Sequence, residues 1–242
     1  RRLGVPVTGA ALAKDEARIT IQGVPDRPGV VHRIFHTISK AAIVVDMIVQ
    51  NVAVDGLAEI SFTVAKGDLP DVLSAAEAAA QAVGAAGVAH DADVAKVSVV
   101  GLGMRTHTGV ATMMFDALAH EGVNIQMITT SEIKISVLVG RSKAAAALRA
   151  VHKAFLLHEV YAEAPQPFHP SPAGQRALKL VPLADPEADP ALPQGMEDLV
   201  IAGVDLDETQ ASVSLFGVPD EPGYAAKVFR ALADASINVD MI

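Results

Sequence analysis

The chain has 242 residues, 51% apolar and 19% charged, enough for a sizeable core and for one or two domains, or more if they are small. It has no cysteine, which excludes disulfide scaffolds, thiolate zinc sites and cysteine nucleophiles. Its net charge of −9 argues against nucleic acid or an anionic membrane as the main partner. No apolar run approaches the ~20 residues of a membrane span and no signal peptide opens the chain, which is compatible with the cytoplasm.

One unit of sequence occurs three times. The heptapeptide GVPDRPG at Gly23–Gly29 recurs as GVPDEPG at Gly217–Gly223, and the match runs without a gap from Val7–Ile48 onto Ile201–Ile242. A weaker copy lies between them, over Val97–Ile128. Each copy consists of an apolar strand, a glycine-containing loop, a helix and a second apolar strand.

The first copy and the residues that follow it predict the order strand, helix, strand, strand, helix, strand. Alternating β-formers indicate the strands, and apolar residues at i, i+3 and i+4 indicate the helices. In chain order these elements are Arg18–Val24, 30–38, Ile43–Val52, Leu57–Val64, 68–83 and Gly87–His90. The second copy gives the same order over 94–102, 108–121, 123–130, 132–139, 142–156 and 158–163. Each set predicts an antiparallel sheet covered on one face by two helices, an α+β fold.

Prolines separate the second copy from the third. They occur at 165, 167, 170, 172, 182, 186, 190 and 193. Because proline cannot donate regular ladder hydrogen bonds, we expect an extended linker there. The third copy stops at Ile242, two strands and a helix short of completion, so we expect the natural protein to continue and this chain to be a fragment.

Two other patterns do not predict a site. The glycine-rich segment Val99–Gly109 is similar to a dinucleotide-binding loop, but its third glycine comes six residues after Gly103 rather than three. His32 and His36 have a spacing that can hold a metal, yet no further ligand is placed nearby, which favours a solvated helix face. No arrangement of serine, histidine and carboxylate residues indicates catalysis.

The loop Pro25–Gly29 is the strongest local signal. It leads from a strand into the N-terminus of a helix, where unpaired N–H groups and the helix dipole favour a carboxylate. Asp26 can meet an ammonium group on the same ligand, so a zwitterionic amino acid matches both ends. The alternative is that Asp26 only caps the helix, and the loop by itself favours that alternative.

Longer motifs resemble a known family. The segment ITIQGVPDRPGV at Ile19–Val30, with Val45–Val52 and Ile60–Val64, resembles the first ACT domain of aspartate kinases. Gly101–Ala111 with Val123–Val137 resembles the second, and the run TTSEIKIS in the latter is specific to the regulatory half of that enzyme. The resemblance implies tandem ferredoxin-like βαββαβ ACT domains with antiparallel sheets. It also implies feedback inhibition by lysine, threonine or both, and pairing of ACT domains across a homodimer.

The resemblance also implies domain boundaries. The first ACT domain is expected at 16–91, and the second at 93–163 with 5–12 as its edge strand, because the family tends to insert the first domain into the second. The proline-rich linker would occupy 164–198. An incomplete second pair of ACT domains would begin at 199–242, as in the four-ACT form of the enzyme.

In the family the effector lies between the first and second ACT domains, held by their two loops and the strands that follow. The matching positions are Asp26, Gly29, Val30, Val31, Gln50, Met104, Thr106, Gly109, Val110, Ala111, Asn124, Ile125, Ser131 and Glu132. Gln126 belongs to the same pocket. Lysine-specific members of the family carry an aspartate at that position, which disfavours a lysine preference here.

The kinase domain of the family has an N-terminal KFGGT signature, which this sequence lacks. We therefore expect no phosphotransfer, no catalytic residue, no metal and no cofactor in this stretch. ATP and Mg²⁺ would bind only to the kinase domain, itself an expected partner. Two other functions stay open: a ligand-free ACT dimerisation module, and the ACT region of another enzyme of amino-acid metabolism.

Overall fold

The computed structural model describes residues 7–52, 56–101, 109–131, 133–158, 208, 210–237, 239 and 242. Those up to 158 and from 218 onward belong to one body, and 208 and 210–217 belong to a second. In the second body, 210–217 form neither helix nor strand.

The strands of the described part form one antiparallel sheet in the order β2-β3-β1-β4-β6-β5. They are β1 Val7–Pro25, β2 Ile48–Val52, β3 Leu57–Ala65, β4 Gly87–Gly101, β5 Ile125–Thr130 and β6 Lys134–Gly140. The α-helices of the same residues are α1 Val30–Ser39, α2 Leu69–Val83, α3 Val110–His120, α4 Ala144–Ala154 and α5 Tyr224–Asp234. None of these helices combines the length and the apolar composition that a bilayer span requires.

The two long strands, β1 and β4, belong to both halves of the sheet. Residues 16–25 of β1 pair with β3, whereas residues 7–13 pair with 96–101 of β4. Residues 94–100 of β4 pair on their other side with β6. Each long strand is therefore central in one half and at the edge of the other. The predicted α+β fold with antiparallel ferredoxin-like sheets is confirmed.

The continuity of these strands differs from the prediction. We predicted 5–12 and Arg18–Val24 as separate strands, and also Gly87–His90 and 94–102, but each pair is one strand. The register of β1 against β4 shifts on both sides of Glu16, where the chain passes from one half of the sheet to the other. Such irregularities bend and twist a strand without ending it.

Three further predicted strands need correction or lie outside the described residues. The strand predicted at Ile43–Val52 begins only at Ile48, because Asp46 and Met47 both bond to Thr63 and so form a bulge. Residues 210–217, where the first strand of the third copy was expected, form neither helix nor strand. Residues 159–163, the end of a predicted strand, and the predicted linker 164–198 lie outside the described part.

Helices cover one face of each half-sheet. Helices α1 and α2 pack on the first half, around a core that includes Ile19, Ile21, Ile34, Ile38 and Phe62. Helices α3 and α4 pack on the second half, around a core that includes Val97, Val99, Phe115, Leu118 and Val137. A small third cluster contains residues of both halves, namely Met47, Val49, Val94, Met127 and Leu138.

The third copy adds α5, which packs on α3 of the second. The rings of Phe115 and Phe229 meet edge to face with centroids 5.0 Å apart. Thr112 Oγ1 donates a hydrogen bond to the backbone oxygen of Phe229 at 3.0 Å, and Ala226 is only 4% exposed. The contact brings the loop before α5 to the start of β5.

Candidate functional site

Each copy of the repeat has a glycine with positive φ immediately before its first helix. Gly29, Gly109 and Gly223 have φ of 86°, 101° and 96°, in the left-handed region that favours glycine. Among the described residues, no side chain caps α1, α3 or α5 by a hydrogen bond. The first N–H of α1 and of α5 bonds within the preceding loop, from Val30 to the oxygen of Arg27 at 3.2 Å and from Tyr224 to that of Glu221 at 3.5 Å. The N–H groups that follow in these two first turns have no partner among the described residues and can meet an external acceptor.

In the first copy, Asp26 contacts the edge strand rather than the helix. Gln50 Nε2 of β2 donates to Asp26 Oδ1 at 3.5 Å, and the backbone N–H of Asp26 donates to the oxygen of Gly56 at 3.0 Å. Both side chains are exposed. This geometry weighs against the alternative in which Asp26 caps α1, and it leaves a carboxylate beside the first turn of that helix.

In the third copy, the equivalent loop meets the second copy. Asp220 is the counterpart of Asp26 in the repeat, and its Oδ1 accepts a hydrogen bond from Asn124 Nδ2 at 2.8 Å. A cavity of about 220 Å³ lies between this loop, the start of β5 and the N-terminus of α5. Its lining includes Phe115, Ala119, Val123, Asn124, Ile125 and residues 218–226.

The chemistry of this cavity suits a small zwitterion. Its lining contains the carboxylates of Asp220 and Glu221 and the N-terminus of α5. The first can bind an ammonium group and the second a carboxylate. At ~30 Å³ per water the volume holds about seven water-sized groups, comparable to the heavy atoms of a small amino acid.

The structure brings some of the predicted site residues together. Gly29, Val30 and Val31 begin α1 beside the Asp26–Gln50 contact. Asn124 and Ile125 line the cavity at the third-copy loop.

Other predicted site residues lie elsewhere. Gly109, Val110 and Ala111 begin α3, but Val110 is 3% exposed and packs in the core, so its side chain cannot reach a ligand. Ser131 is exposed, and its hydroxyl donates weakly to the oxygen of Lys134 at 3.4 Å. The remaining predicted positions, Met104, Thr106 and Glu132, lie outside the described residues.

Asn124 donates to the loop of the third copy, a contact that the prediction did not include. That the loops of the first and second copies share the ligand stays a prediction. Asp220, Glu221 and Tyr224 were absent from the prediction. The repeat could have identified Asp220, because an alignment of the two GVPD loops places Asp220 at the position of Asp26.

Gln126 carries an unsatisfied acceptor. Its Oε1 is buried and, among the described residues, has no hydrogen-bond partner. Buried polar atoms are usually paired with protein or water. A donor from a ligand or a water molecule would complete its hydrogen bonding, which keeps Gln126 in the candidate site.

A cluster of charges joins the two halves of the sheet. Lys96 of β4 places its Nζ 2.6 Å from Glu16 Oε1 and also on the carboxylate of Asp46. The side chains of Lys96 and Glu16 are only 15% and 9% exposed. Burial lowers the pKa of Lys96, but the hydrogen bonds that it donates to Asp46 and Glu16, together with the charges of these carboxylates, outweigh burial and raise that pKa above 10.5.

This raised pKa predicts a pH dependence of stability. A lysine whose pKa is higher in the folded than in the unfolded state contributes fully below 10.5, and the contribution is lost as the pH rises through the folded pKa. We expect the unfolding free energy of the wild type to exceed that of Lys96→Met by a constant amount from neutral pH to about pH 10, where the carboxylates stay ionised, and by less above it. Urea unfolding across this range measures it, and a gap that stays constant far above 10.5 would contradict it.

The two histidines of α1 provide no metal site. Their rings stack with centroids 5.6 Å apart. Within the described part of the chain, no group of three or more potential ligand residues is placed to hold a metal ion.

Comparison with known proteins identifies the class. Family models described as ACT domain match residues 18–84, 97–155 and 212–242. Together with the two ferredoxin-like half-sheets, these matches define a tandem ACT-domain protein.

Relatives of known structure or description specify the family. The regulatory subunit of aspartate kinase from Thermus thermophilus is 42% identical, with a TM-score of 0.59; the match covers 62% of this chain and 99% of that one. Aspartate kinase from Synechocystis is 33% identical with a TM-score of 0.76, over 97% of this chain and 36% of that one. Aspartate kinase Ask_LysC of Stutzerimonas stutzeri is 50% identical over 62% of this chain.

The chain belongs to the aspartate kinase family and corresponds to its ACT regulatory region. It spans about 37% of the length of the curated relatives that it matches.

Proposed function

We propose that this chain is the allosteric region through which an aspartate kinase is inhibited by end-product amino acids, lysine, threonine or both. The cavity lined by Asn124 and Asp220 carries the proposal, because it combines carboxylates, an amide and a helix N-terminus at a seam between two ACT copies. These are the groups that recognise both ends of an amino acid.

In this proposal Asp220 and Glu221 hold the ammonium group, and the first-turn N–H groups of α5 hold the carboxylate. Asn124 orients the ligand from the second copy, and the apolar wall of Phe115 and Ile125 contacts its side chain. The Asp26–Gln50 loop is a second place where the same chemistry is available. Met104, Thr106 and Glu132 stay predicted contributors.

The effect on the enzyme follows from linkage. An effector that binds the inhibited arrangement better than the active one shifts the population toward inhibition. A coupling of about 1–3 kcal/mol changes activity by roughly 5–150-fold. ATP, Mg²⁺ and aspartate bind to the kinase domain, and phosphorylation of L-aspartate in lysine, threonine and methionine biosynthesis is the step that is inhibited. A cytoplasmic homodimer joined through ACT domains completes the proposal.

Titration calorimetry of the full chain with L-lysine and L-threonine, singly and together, tests this function. We expect saturable heat from at least one of them and none from its D-enantiomer. The absence of heat from both at millimolar ligand would remove the amino-acid function. It would favour the ligand-free dimerisation module, which predicts a dimer in light scattering that is indifferent to amino acids.

Replacing Asp220 by asparagine tests the assigned contact. The change keeps the shape but removes the charge that meets the ammonium group. Because hydrogen bonds to charged groups contribute about 1.5–3 kcal/mol, we expect affinity to fall by roughly 10–100-fold in calorimetry. Asp234→Asn, an exposed carboxylate at the far end of the same helix, is the matched control and should bind as the wild type does. Wild-type affinity in Asp220→Asn would show that the ligand lies elsewhere.

A further inference from the structure

Residues eighty positions apart occupy equivalent places in the first two copies. Phe35 and Phe115 each lie six residues after the positive-φ glycine of their helix. Met47 and Met127 lie in the same small cluster that contains residues of both halves of the sheet. Strands β1 and β4 run antiparallel, and each is central in one half of the sheet and at the edge of the other. The first two copies are therefore related by an approximate two-fold axis.

At this axis the equivalent residues are Glu16 and Lys96, and they pair with each other. Glu16 Oε1 lies 2.6 Å from Lys96 Nζ, and both side chains are largely buried. Two identical residues could not form this ion pair. The opposite charges therefore make the two copies unequal at the point where they touch.

The next equivalent pair, Asp46 and Gln126, is also unequal. Asp46 extends from the first copy onto Lys96 of the second and forms an ion pair with it. Its counterpart Gln126 has no charge, and its Oε1 lacks a partner among the described residues. At this pair of positions the first copy sends a carboxylate across the axis and the second does not.

Asp46 is linked to the ligand loop of its own copy through β2. Its backbone N–H donates to the oxygen of Thr63 at 3.0 Å, in the bulge that precedes the strand. Four residues later, Gln50 donates to Asp26. A displacement of β2 by a ligand at Asp26 and Gln50 would change the position of Asp46 against Lys96.

We propose that the ion triad of Glu16, Lys96 and Asp46 couples the ligand loop of the first copy to the second copy. The inference deepens the proposed function and rests on it, since it concerns the same amino-acid ligands. Asp46 is a positioning residue in this scheme and does not touch the ligand. Moving its carboxylate away from Lys96 breaks one of the two ion pairs of this lysine and leaves Glu16 as its remaining partner, so the position of Lys96 in the second copy responds to β2 of the first. Linkage makes the effect reciprocal, and ligand in either copy alters affinity in the other.

The first arm of the test measures this coupling by calorimetry on the full chain. In the wild type, saturating L-lysine should change the Kd of L-threonine by a factor in the range of about 5–150. In Asp46→Asn that factor should fall to within about twofold of unity, while each amino acid alone keeps its Kd within about threefold. Asp46→Glu keeps the carboxylate, so L-lysine should again change the Kd of L-threonine by the wild-type factor.

The matched control is Asp93→Asn. Asp93 is an exposed carboxylate near Glu16, where it pairs with Arg141 at 3.6 Å, and no ion pair or side-chain hydrogen bond of the described residues joins it to Lys96 or β2. In Asp93→Asn, L-lysine should change the Kd of L-threonine by the same factor as in the wild type. If Asp46→Asn also shows this factor, the triad does not couple the two copies.

The second arm needs no ligand. Hydrogen exchange of the free full chain should be faster by about fivefold or more in β5, in the second copy, when Asp46 is replaced by asparagine, and unchanged in Asp93→Asn. Equal exchange in the two variants would overturn the coupling even if both amino acids bind. A wild type that binds neither amino acid but shows this change in β5 would instead overturn the proposed function and leave the physical coupling standing.

Discussion

Replacing Lys96 by methionine is expected to lower the free energy of unfolding by about 3–5 kcal/mol, the usual effect of removing one partner of a buried ion pair. The cause is the carboxylate of Glu16, 7% exposed as a residue, which would be left without its cation. Urea unfolding at neutral pH followed by circular dichroism measures the change.

The double variant Glu16→Gln, Lys96→Met separates an unpaired charge from lost packing. It removes both charges and should recover most of the stability lost in the single variant, because a neutral pair of similar shape leaves no buried charge. If the double variant is as unstable as Lys96→Met alone, the stability is lost through packing around the aliphatic part of the lysine. The explanation by an unpaired charge on Glu16 would then be wrong.

Replacing Phe115 by alanine is expected to have an effect of similar size, about 3–5 kcal/mol, because the ring is 1% exposed in the core of the second copy. The same ring also meets Phe229 of α5 at 5.0 Å. We therefore expect a second effect, faster hydrogen exchange throughout α5, which the loss of a core residue elsewhere would not produce.

The repeat supplies a matched control for Phe115. Phe35 is its counterpart in the first copy and meets Phe62 at 5.6 Å, whereas its described ring contact involves no residue of the third copy. Phe35→Ala should destabilise the chain yet leave exchange in α5 at the wild-type rate, once both variants are compared under conditions of equal stability. A similar change of α5 exchange in both variants would show that α5 does not depend on α3 in solution.

Local patterns predicted much of the fold. The helix faces at 30–38 and 68–83 follow apolar periodicity and agree with α1 and α2 to within a residue at each boundary. The repeated GVPD loop predicted that a helix follows in the first and third copies, and these helices are α1 and α5. These features depend on residues close in sequence, and short segments determine them.

Features that depend on distant residues could not be predicted in the same way. The continuity of β1 and β4 depends on pairing across the sheet, and the bulge at Asp46 depends on Thr63 seventeen residues later. Asp220 entered the candidate site only because α5 packs on α3, a contact between copies. Glu16 and Lys96 likewise meet only once the two halves of the sheet have formed.

The family relation and the geometry point to the same region of the molecule. The chain matches aspartate kinase regulatory subunits over nearly their whole length. It also carries a cavity with polar groups at one seam between ACT copies and a polar loop contact on the first copy. The proposed regulation uses both, with the ion triad as the link between them.

The account is tested most directly by a crystal structure of the full chain grown with L-lysine and L-threonine at saturating concentration. It predicts an amino acid in the cavity of about 220 Å³, with its ammonium group at Asp220 and its carboxylate at the N-terminus of α5. An empty cavity, with any bound amino acid away from both the Asp220 and the Asp26 loops, would contradict it.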